Sequence, residues 1–310
     1  MSAPARLRRL ASTAVLSWLL WRALGPELPP RYPAQQRRPL RIPGRTVFVG
    51  EREFFVREAG PVSAPAVVLV HGWSLDGEMT YYPLVAALAE RYRVVVPDLR
   101  NHGKSDWVRG RFEPADMADE LAGVLDAVGV RNAVVMGYSL GGMVVMELAR
   151  RHPHLVGSAV LAATAARPVP RRRPLVWLYF WLARAVARIS KREAALLTVK
   201  ALRMTGSLDP RHERWIYEGL VRRDGTLFYN AGFAAWHFDA RSWVGGLRAP
   251  VTIVIPTDDR LVPAAAQEEL AGLLPNANVI RLDAAGHESI FMRLDDYVDI
   301  LDGAVERLTS

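Results

Sequence analysis

Short unbroken apolar runs alternate, along most of the chain, with longer stretches whose apolar residues recur every three or four positions. The first pattern is typical of strands covered on both faces, and the second is typical of amphipathic helices. After two N-terminal strands predicted around a turn at Gly50 and Glu51, the runs are APAVVLVHG, YRVVVPD, NAVVMG, GSAVLAA, APVTIVIP and NANVIRLD. This alternation predicts an α/β fold with a mostly parallel, eight-stranded sheet flanked by helices.

The alternation is interrupted once, between residues 165 and 240. This stretch has no clear strand pattern but contains three segments at helical spacing, PLVWLYFWLARAVARI, KREAALLTVKALRM and DPRHERWIYEGLVRR. We therefore predict one α/β core formed by residues 46–164 and 241–310, with a helical insertion at 165–240.

Residues 1–45 differ from the rest of the chain. They hold nine arginines and one acid, Glu27, and so carry the whole formal net charge of +8. Their apolar run, from Leu10 to Trp21, is shorter than the roughly 20 residues that span a bilayer. Three interpretations stay open: an interfacial or signal-anchor helix, which we favour, a cleaved export signal, or a helix packed on the protein. Residues 26–45, rich in proline and arginine, predict an extended tether.

Composition limits the chemistry and the partners. The chain has no cysteine, which excludes disulfides, thiolate catalysis and cysteine-based zinc sites. The basic N-terminal segment and a second basic zone at 164–208 favour contact with an anionic membrane surface, with solvated basic surface as the alternative. No nucleic-acid-binding motif accompanies the charge, so we expect no nucleic acid partner. We expect a membrane-associated protein, with a cytoplasmic or secreted protein as the alternative.

A serine between two glycines is the first candidate for chemistry. Gly137-Tyr138-Ser139-Leu140-Gly141 follows a strand pattern and precedes a helix pattern, which is the context of a nucleophile elbow. A side chain at 137 or 141 would collide with the neighbouring strand and helix. Ser139 then lies at a helix N-terminus, where free N–H groups favour a developing anion.

Five motifs together resemble the α/β-hydrolase superfamily, and they occur in its order over about residues 46–310. They are His71-Gly72-Trp73, Asp98 to Ser105 (DLRNHGKS), Gly137 to Gly142 (GYSLGG), Asp259-x-x-x-Pro263, and Gly286-His287. The resemblance implies the α/β-hydrolase fold, with the insertion at 165–240 acting as a helical cap over the active site. Asn101 stands where the family usually has glycine.

The resemblance also implies a base and an orienting acid for the serine, in the chain order serine, acid, histidine. Of the seven histidines, only His287 follows the late strand, in the loop DAAGHESI. Asp258 and Asp259 both lie after the strand before it. The family's Asp-x-x-x-Pro spacing favours Asp259 as the acid, and leaves Asp258 as a solvated turn residue.

The implied oxyanion hole takes one backbone N–H from Leu140 and one from Trp73. We expect the side chains of Trp73 and Tyr138 to contact the substrate and His71 to be structural. We expect no metal and no cofactor.

These residues imply a serine hydrolase that cleaves carboxylic esters through an acyl-enzyme on Ser139. Epoxide hydrolases and haloalkane dehalogenases resemble this architecture but use an aspartate at the elbow, so Ser139 argues against both. A lactonase, a carbon–carbon bond hydrolase and a non-catalytic ligand-binding member stay as alternatives.

The first helix of the cap is rich in bulky apolar residues, among them Trp177, Leu178, Phe180 and Trp181. One interpretation is a helix that packs its aromatic residues on the core. The other is a lid that enters lipid and admits acyl chains, which would favour lipid-like or acylglycerol substrates.

Overall fold

The computed structural model describes residue 17 and residues 42–110, 113–168, 174–206, 208 and 212–310, without the side chains of 174–177. The expectations for the N-terminal segment therefore lie almost wholly outside the described residues. The first strand begins at Gly44, two residues before the predicted start of the core. Within the described ranges, no helix is both long and apolar enough to cross a membrane.

Eight strands form one sheet. In chain order they are β1 (Gly44–Val49), β2 (Arg52–Ala59), β3 (Ala66–Val70), β4 (Arg93–Pro97), β5 (Ala133–Tyr138), β6 (Val156–Ala162), β7 (Val251–Pro256) and β8 (Asn278–Leu282). Their spatial order is β1-β2-β4-β3-β5-β6-β7-β8. The β1–β2 and β2–β4 pairs are antiparallel and the other five are parallel, so the predicted mostly parallel, eight-stranded sheet is confirmed.

Helices cover both faces of the sheet. The core helices are α1 (Gly77–Leu88), α2 (Pro114–Ala127), α3 (Leu140–Arg151), α8 (Ala264–Leu273), α9 (Ser289–Met292) and α10 (Leu294–Thr309). In β3, alternate residues face opposite sides of the sheet. Val68 and Val70 pack with α2 and α3, whereas Val67 and Leu69 pack with α1 and α10. This is why the central strands are apolar without interruption.

Four helices lie between β6 and β7, within the predicted insertion. They are α4 (Pro174–Ile189), α5 (Lys191–Met204), α6 (Glu213–Arg222) and α7 (Gly225–His237). Their buried residues form a separate cluster that also takes in Leu75 and Met79 from the core. This cluster attaches the insertion to the loop after β3.

Parallel strands bring their carboxyl ends to one edge of the sheet. At that edge, β3 runs into His71, β5 into Ser139, and β7 into the loop that carries Asp259. The loop after β8 carries His287. The fold thus gathers residues that are far apart in sequence at the end of the sheet where α/β proteins bind their ligands.

Candidate active site

Ser139 occupies a strained backbone conformation between β5 and α3, with φ at 55° and ψ at −118°. A Cβ at Gly137 would lie 2.3 Å from the carbonyl oxygen of Gly141, and one at Gly141 would lie 2.0 Å from that of Val70. The predicted collisions are confirmed, since both distances are far below van der Waals contact. The turn therefore depends on glycine at both positions and lifts the serine hydroxyl off the end of the sheet.

The structure brings Ser139, His287 and Asp259 together. The Ser139 Oγ lies 3.2 Å from His287 Nε2, and His287 Nδ1 lies 2.8 Å from Asp259 Oδ2. Both His287 and Asp259 are buried. Asp258 is exposed, and its backbone N–H donates to the carbonyl of Ala285. The arrangement matches a nucleophile, a base within hydrogen-bond reach, and an acid that orients the base.

The Asp259 carboxylate is held from several directions. Its Oδ1 accepts the backbone N–H groups of Leu261 and Val262, both at 2.9 Å. Its Oδ2 accepts from the side-chain amide of Gln267 at 3.0 Å as well as from His287. Gln267 is fully buried on α8 and also donates to the carbonyl of Val262. Gln267 could not be predicted from the sequence, because a glutamine eight residues after an aspartate carries no local signal.

The two expected oxyanion donors belong to residues next to the elbow. Leu140 is the first residue of α3, so its N–H has no acceptor within the helix. The turn that carries the Trp73 N–H touches the elbow, since a Cβ at Gly72 would lie 3.3 Å from Ser139 Cβ. Within the described part of the chain, neither N–H donates to a protein acceptor. Both are therefore available to a developing oxyanion.

Two buried histidines support this turn. His71 Nε2 accepts the Leu99 N–H at 3.0 Å, so Nδ1 carries the proton and donates to the carbonyl of Gly72 at 2.8 Å. Burial lowers the pKa of His71 to about 4, so its ring is neutral at neutral pH. His102 lies beside it, with Nε2 2.7 Å from the carbonyl of Trp73. These contacts fit the structural role expected of His71.

The loop after β4 contains the departure from the family pattern. Asn101 has a φ of 61°, in the left-handed region that glycine adopts freely and asparagine tolerates better than most residues. Its side-chain oxygen accepts the backbone N–H of Val108 at 2.7 Å. Asparagine therefore meets the backbone requirement of the usual glycine and also fixes the loop.

The Trp73 side chain joins the turn to the cap. Its indole N–H donates to the backbone carbonyl of Phe228 at 2.7 Å, and its ring stacks on that of Phe228 with centroids 4.6 Å apart. Arg223, buried between α6 and α7, donates to the carbonyl of Ser74 at 2.9 Å and to Asp76 at 3.1 Å. The sequence did not indicate Arg223, whose contacts lie almost 150 residues away along the chain.

Asp76 and Arg223 form a buried ion pair beside the turn. Burial alone would raise the pKa of Asp76, but the positive charge of Arg223 and the N–H of Met79 outweigh it, so this pKa is lowered. Asp76 also caps α1 through the same Met79 N–H. The cap, the turn that carries Trp73 and the start of α1 are thus held at one point.

A cavity of about 30 Å³ lies directly over Ser139 and His287. Besides these two residues, its lining is mainly apolar or aromatic and includes Trp73, Leu75, Tyr138, Leu202, Ile216, Leu261 and Phe291. Tyr138 lines the cavity with its ring and donates its hydroxyl to the backbone carbonyl of His287. The space holds little more than a water molecule, so the cap closes the site in this conformation.

Among the described residues, no group of three or more histidine, aspartate or glutamate side chains could hold a metal ion.

Comparison with known proteins gives a consistent picture. A family model described as the alpha/beta hydrolase fold matches residues 65–293. A pimeloyl-[acyl-carrier protein] methyl ester esterase from Aromatoleum aromaticum is 31% identical over 255 residues, covering 79% of this chain and 99% of that protein. A magnesium-chelatase 30 kDa subunit from Rhodobacter capsulatus is 29% identical over 290 residues, covering 86% and 92%. The solved enol-lactonase from Burkholderia xenovorans LB400 has a TM-score of 0.75 at 25% identity, covering 84% and 100%.

Proposed function

Since this chain belongs to the alpha/beta hydrolase fold family, we propose that it is a serine hydrolase that cleaves carboxylic esters through an acyl-enzyme on Ser139. The observation that carries the proposal is the chain of two hydrogen-bond contacts, from Ser139 Oγ to His287 Nε2 at 3.2 Å and from His287 Nδ1 to Asp259 at 2.8 Å. Two relatives support an ester: one is named for a methyl ester, and the other for an enol-lactone, which is a cyclic ester.

In the acylation step, His287 Nε2 takes the proton of the Ser139 hydroxyl as its oxygen bonds to the ester carbonyl carbon. The carbonyl oxygen becomes an oxyanion and accepts hydrogen bonds from the backbone N–H groups of Trp73 and Leu140. The intermediate then breaks its bond to the alcohol oxygen, which leaves with the proton from His287. Asp259 holds the imidazole in the required tautomer and stabilises its positive charge.

Deacylation repeats these steps with water. His287 takes a proton from the water as the water oxygen bonds to the acyl carbon, and the same N–H groups donate hydrogen bonds to the new oxyanion. The bond to Ser139 Oγ breaks, and Oγ recovers the proton from His287. The carboxylic acid then leaves, and the free enzyme is restored.

The apolar lining of the cavity favours an uncharged acyl group. No aspartate, glutamate, lysine or arginine is among the described residues that line it. At about 30 Å³ the cavity is too small for an acyl group, so the cap has to move away from Ser139 before an ester binds. A lactonase or a carbon–carbon bond hydrolase would use the same residues, and a substrate panel separates these activities.

A non-catalytic binding protein is the alternative from another class, and the site favours it less. Ser139, His287 and Asp259 are all present and in contact, and the N–H groups of Trp73 and Leu140 are available to an oxyanion. Such a protein has no need of an unpaired donor pair beside a strained serine.

The test measures release of p-nitrophenol from p-nitrophenyl esters of increasing acyl length. Ser139→Ala is expected to reduce turnover to the level of a heat-inactivated sample, while the exposed Ser63→Ala control keeps it. Turnover retained by a folded Ser139→Ala variant would contradict the proposal. So would a folded wild type that turns over no ester, lactone or carbon–carbon substrate at all.

A further inference from the structure

The outer face of α4 is an apolar surface without a partner among the described residues. It consists of Leu178, Trp181, Leu182 and Ile189, which are 62, 70, 58 and 88% exposed. Their spacing places them along one side of the helix. Exposed apolar side chains are ordinary when scattered, but a contiguous row on one helix indicates an interaction site.

The opposite face of α4 accounts for the packing of the cap. Phe180, Ala183 and Ala187 are buried in the cap cluster. The Phe180 ring lies 5.2 Å from Trp73 and 5.3 Å from Phe233, measured between centroids. The helix therefore needs only one of its two apolar faces to pack on the protein. The outer row has no structural purpose within the described chain.

Arginines flank this row. Arg184 and Arg188 lie on α4 beside it and, with Arg109, line a cleft of about 700 Å³. None of the three has a carboxylate partner in the described part of the chain, and Arg184 Nε is buried without a hydrogen-bond acceptor. Of the described residues that line the cleft, Glu113 is the one carboxylate, so the three arginines leave its lining positive and favourable to an anion.

We propose that this surface, the α4 outer face with its arginine cleft, docks on an anionic phospholipid bilayer. A tryptophan and aliphatic side chains suit the headgroup boundary, and arginines beside them pair with lipid phosphates. The N-terminal segment, with nine arginines and one acid in 1–45, has the wrong charge to satisfy this cleft. A second copy related by a two-fold axis would bring the same arginines near each other.

Docking would place the bilayer against the cap. The inner residue Phe180 contacts Trp73, which lines the cavity over Ser139. The described cap residues that line the cavity are Leu202 on α5 and Ile216 on α6, which pack with Phe180 in the cap cluster. A bilayer that holds the outer face of α4 can therefore favour displacement of the cap that covers the site. The docking itself does not depend on the chemistry at Ser139, and it is tested without measuring turnover.

The first experiment uses the absence of cysteine from the chain. Full-length protein with Ser139→Ala and Leu182→Cys is labelled with a nitrobenzoxadiazole dye, and Phe48→Cys on β1, 64% exposed, is the matched control. We expect the dye at 182 to brighten and shift to the blue with vesicles of equimolar phosphatidylcholine and phosphatidylglycerol, and the dye at 48 not to change. No change at 182, or an equal change at 48, would overturn the proposal.

Affinity for the same vesicles tests which residues contribute. Trp181→Gln should weaken binding roughly tenfold, whereas Met204→Gln, also exposed on the cap, should not. The double variant Arg184→Gln, Arg188→Gln should weaken binding about twentyfold. This loss should exceed that of the control double variant Arg131→Gln, Arg281→Gln on the core. Circular dichroism confirms that each variant is folded before its affinity is compared. Equal effects of the two pairs would overturn the role of the cleft.

Other occupants give different results. If the dye at 182 is protected from iodide before vesicles are added, another part of the chain or a second copy covers the face. Protection that depends on protein concentration identifies the second copy. Either result contradicts docking on a bilayer, and binding to pure phosphatidylcholine as strong as to the mixture contradicts the role of lipid charge.

Discussion

Gln267 and His287 donate to the same oxygen of Asp259, at 3.0 Å and 2.8 Å. The glutamine is fully buried, and its amide also donates to the carbonyl of Val262. Because one carboxylate oxygen accepts both hydrogen bonds, Gln267 orients the Asp259 carboxylate toward the imidazole of His287. It is a positioning residue that does not touch the substrate.

Replacing Gln267 should therefore reduce kcat without changing substrate affinity. A hydrogen bond to a charged group contributes about 1.5–3 kcal/mol, and part of this is lost from the orientation of His287. We expect Gln267→Leu to lower kcat about tenfold, with KM within about twofold. Steady-state kinetics at equal folded fraction, with the exposed Glu269→Gln as control, checks this. An unchanged kcat in a folded variant would contradict it.

Arg223 is expected to position the oxyanion turn. Arg223→Met leaves the Asp76 carboxylate buried without its cation and frees the carbonyl of Ser74, next to Trp73. We expect kcat/KM to fall about tenfold or more, while the adjacent exposed Arg222→Met has little effect. Reactivity toward an ester should fall more than toward the matching thionoester, because sulfur accepts these N–H groups poorly. An equal loss for both would indicate a purely structural role.

Ser139 should trade stability for function. Its φ of 55° and ψ of −118° are costly for a residue with a Cβ, by about 1–3 kcal/mol. The free energy of unfolding of Ser139→Gly should thus be about 1 kcal/mol higher than that of Ser139→Ala. Neither variant should hydrolyse ester. Urea titrations compare the two variants. A glycine variant less stable than the alanine variant would contradict the strain.

His71 should make the fold sensitive to mild acid. Its pKa is lowered by burial from 6.5 to about 4, so the unfolded chain binds this proton more readily than the folded chain. Stability is therefore lost as the pH falls from about 6.5 toward 4. Between pH 7 and pH 5, wild type should lose about 2 kcal/mol more than His71→Gln. Equal losses in urea titrations at the two pH values would contradict this contribution.

Features set by local pattern could be predicted from the sequence. The strands were recognisable because those buried on both faces are apolar without interruption, as in β3 and β5. The elbow was recognisable because its turn leaves no room for a side chain at Gly137 or Gly141. These glycines lie two positions before and two positions after Ser139. Asp259 required a family spacing, since Asp258 has the same chemistry and only the fold distinguishes them.

Features set by distant contacts could not be predicted. Arg223 reaches Ser74 across 149 positions, and no local pattern marks such a contact. Helical spacing predicted α4, but aromatic residues on both of its sides left its orientation open. The fold decides that Phe180 packs inward and Trp181 faces outward. The tight closure of the cavity likewise depends on how the cap meets the core.

The most direct test of the central claim is covalent labelling of Ser139. The intact protein is treated with a fluorophosphonate, which bonds to the oxygen of an activated serine and releases fluoride. Peptide mass spectrometry then locates the adduct. We predict one adduct, on Ser139, lost in Ser139→Ala and strongly slowed in His287→Ala. A folded wild-type protein that stays unlabelled, or that is labelled at another residue, would contradict the account.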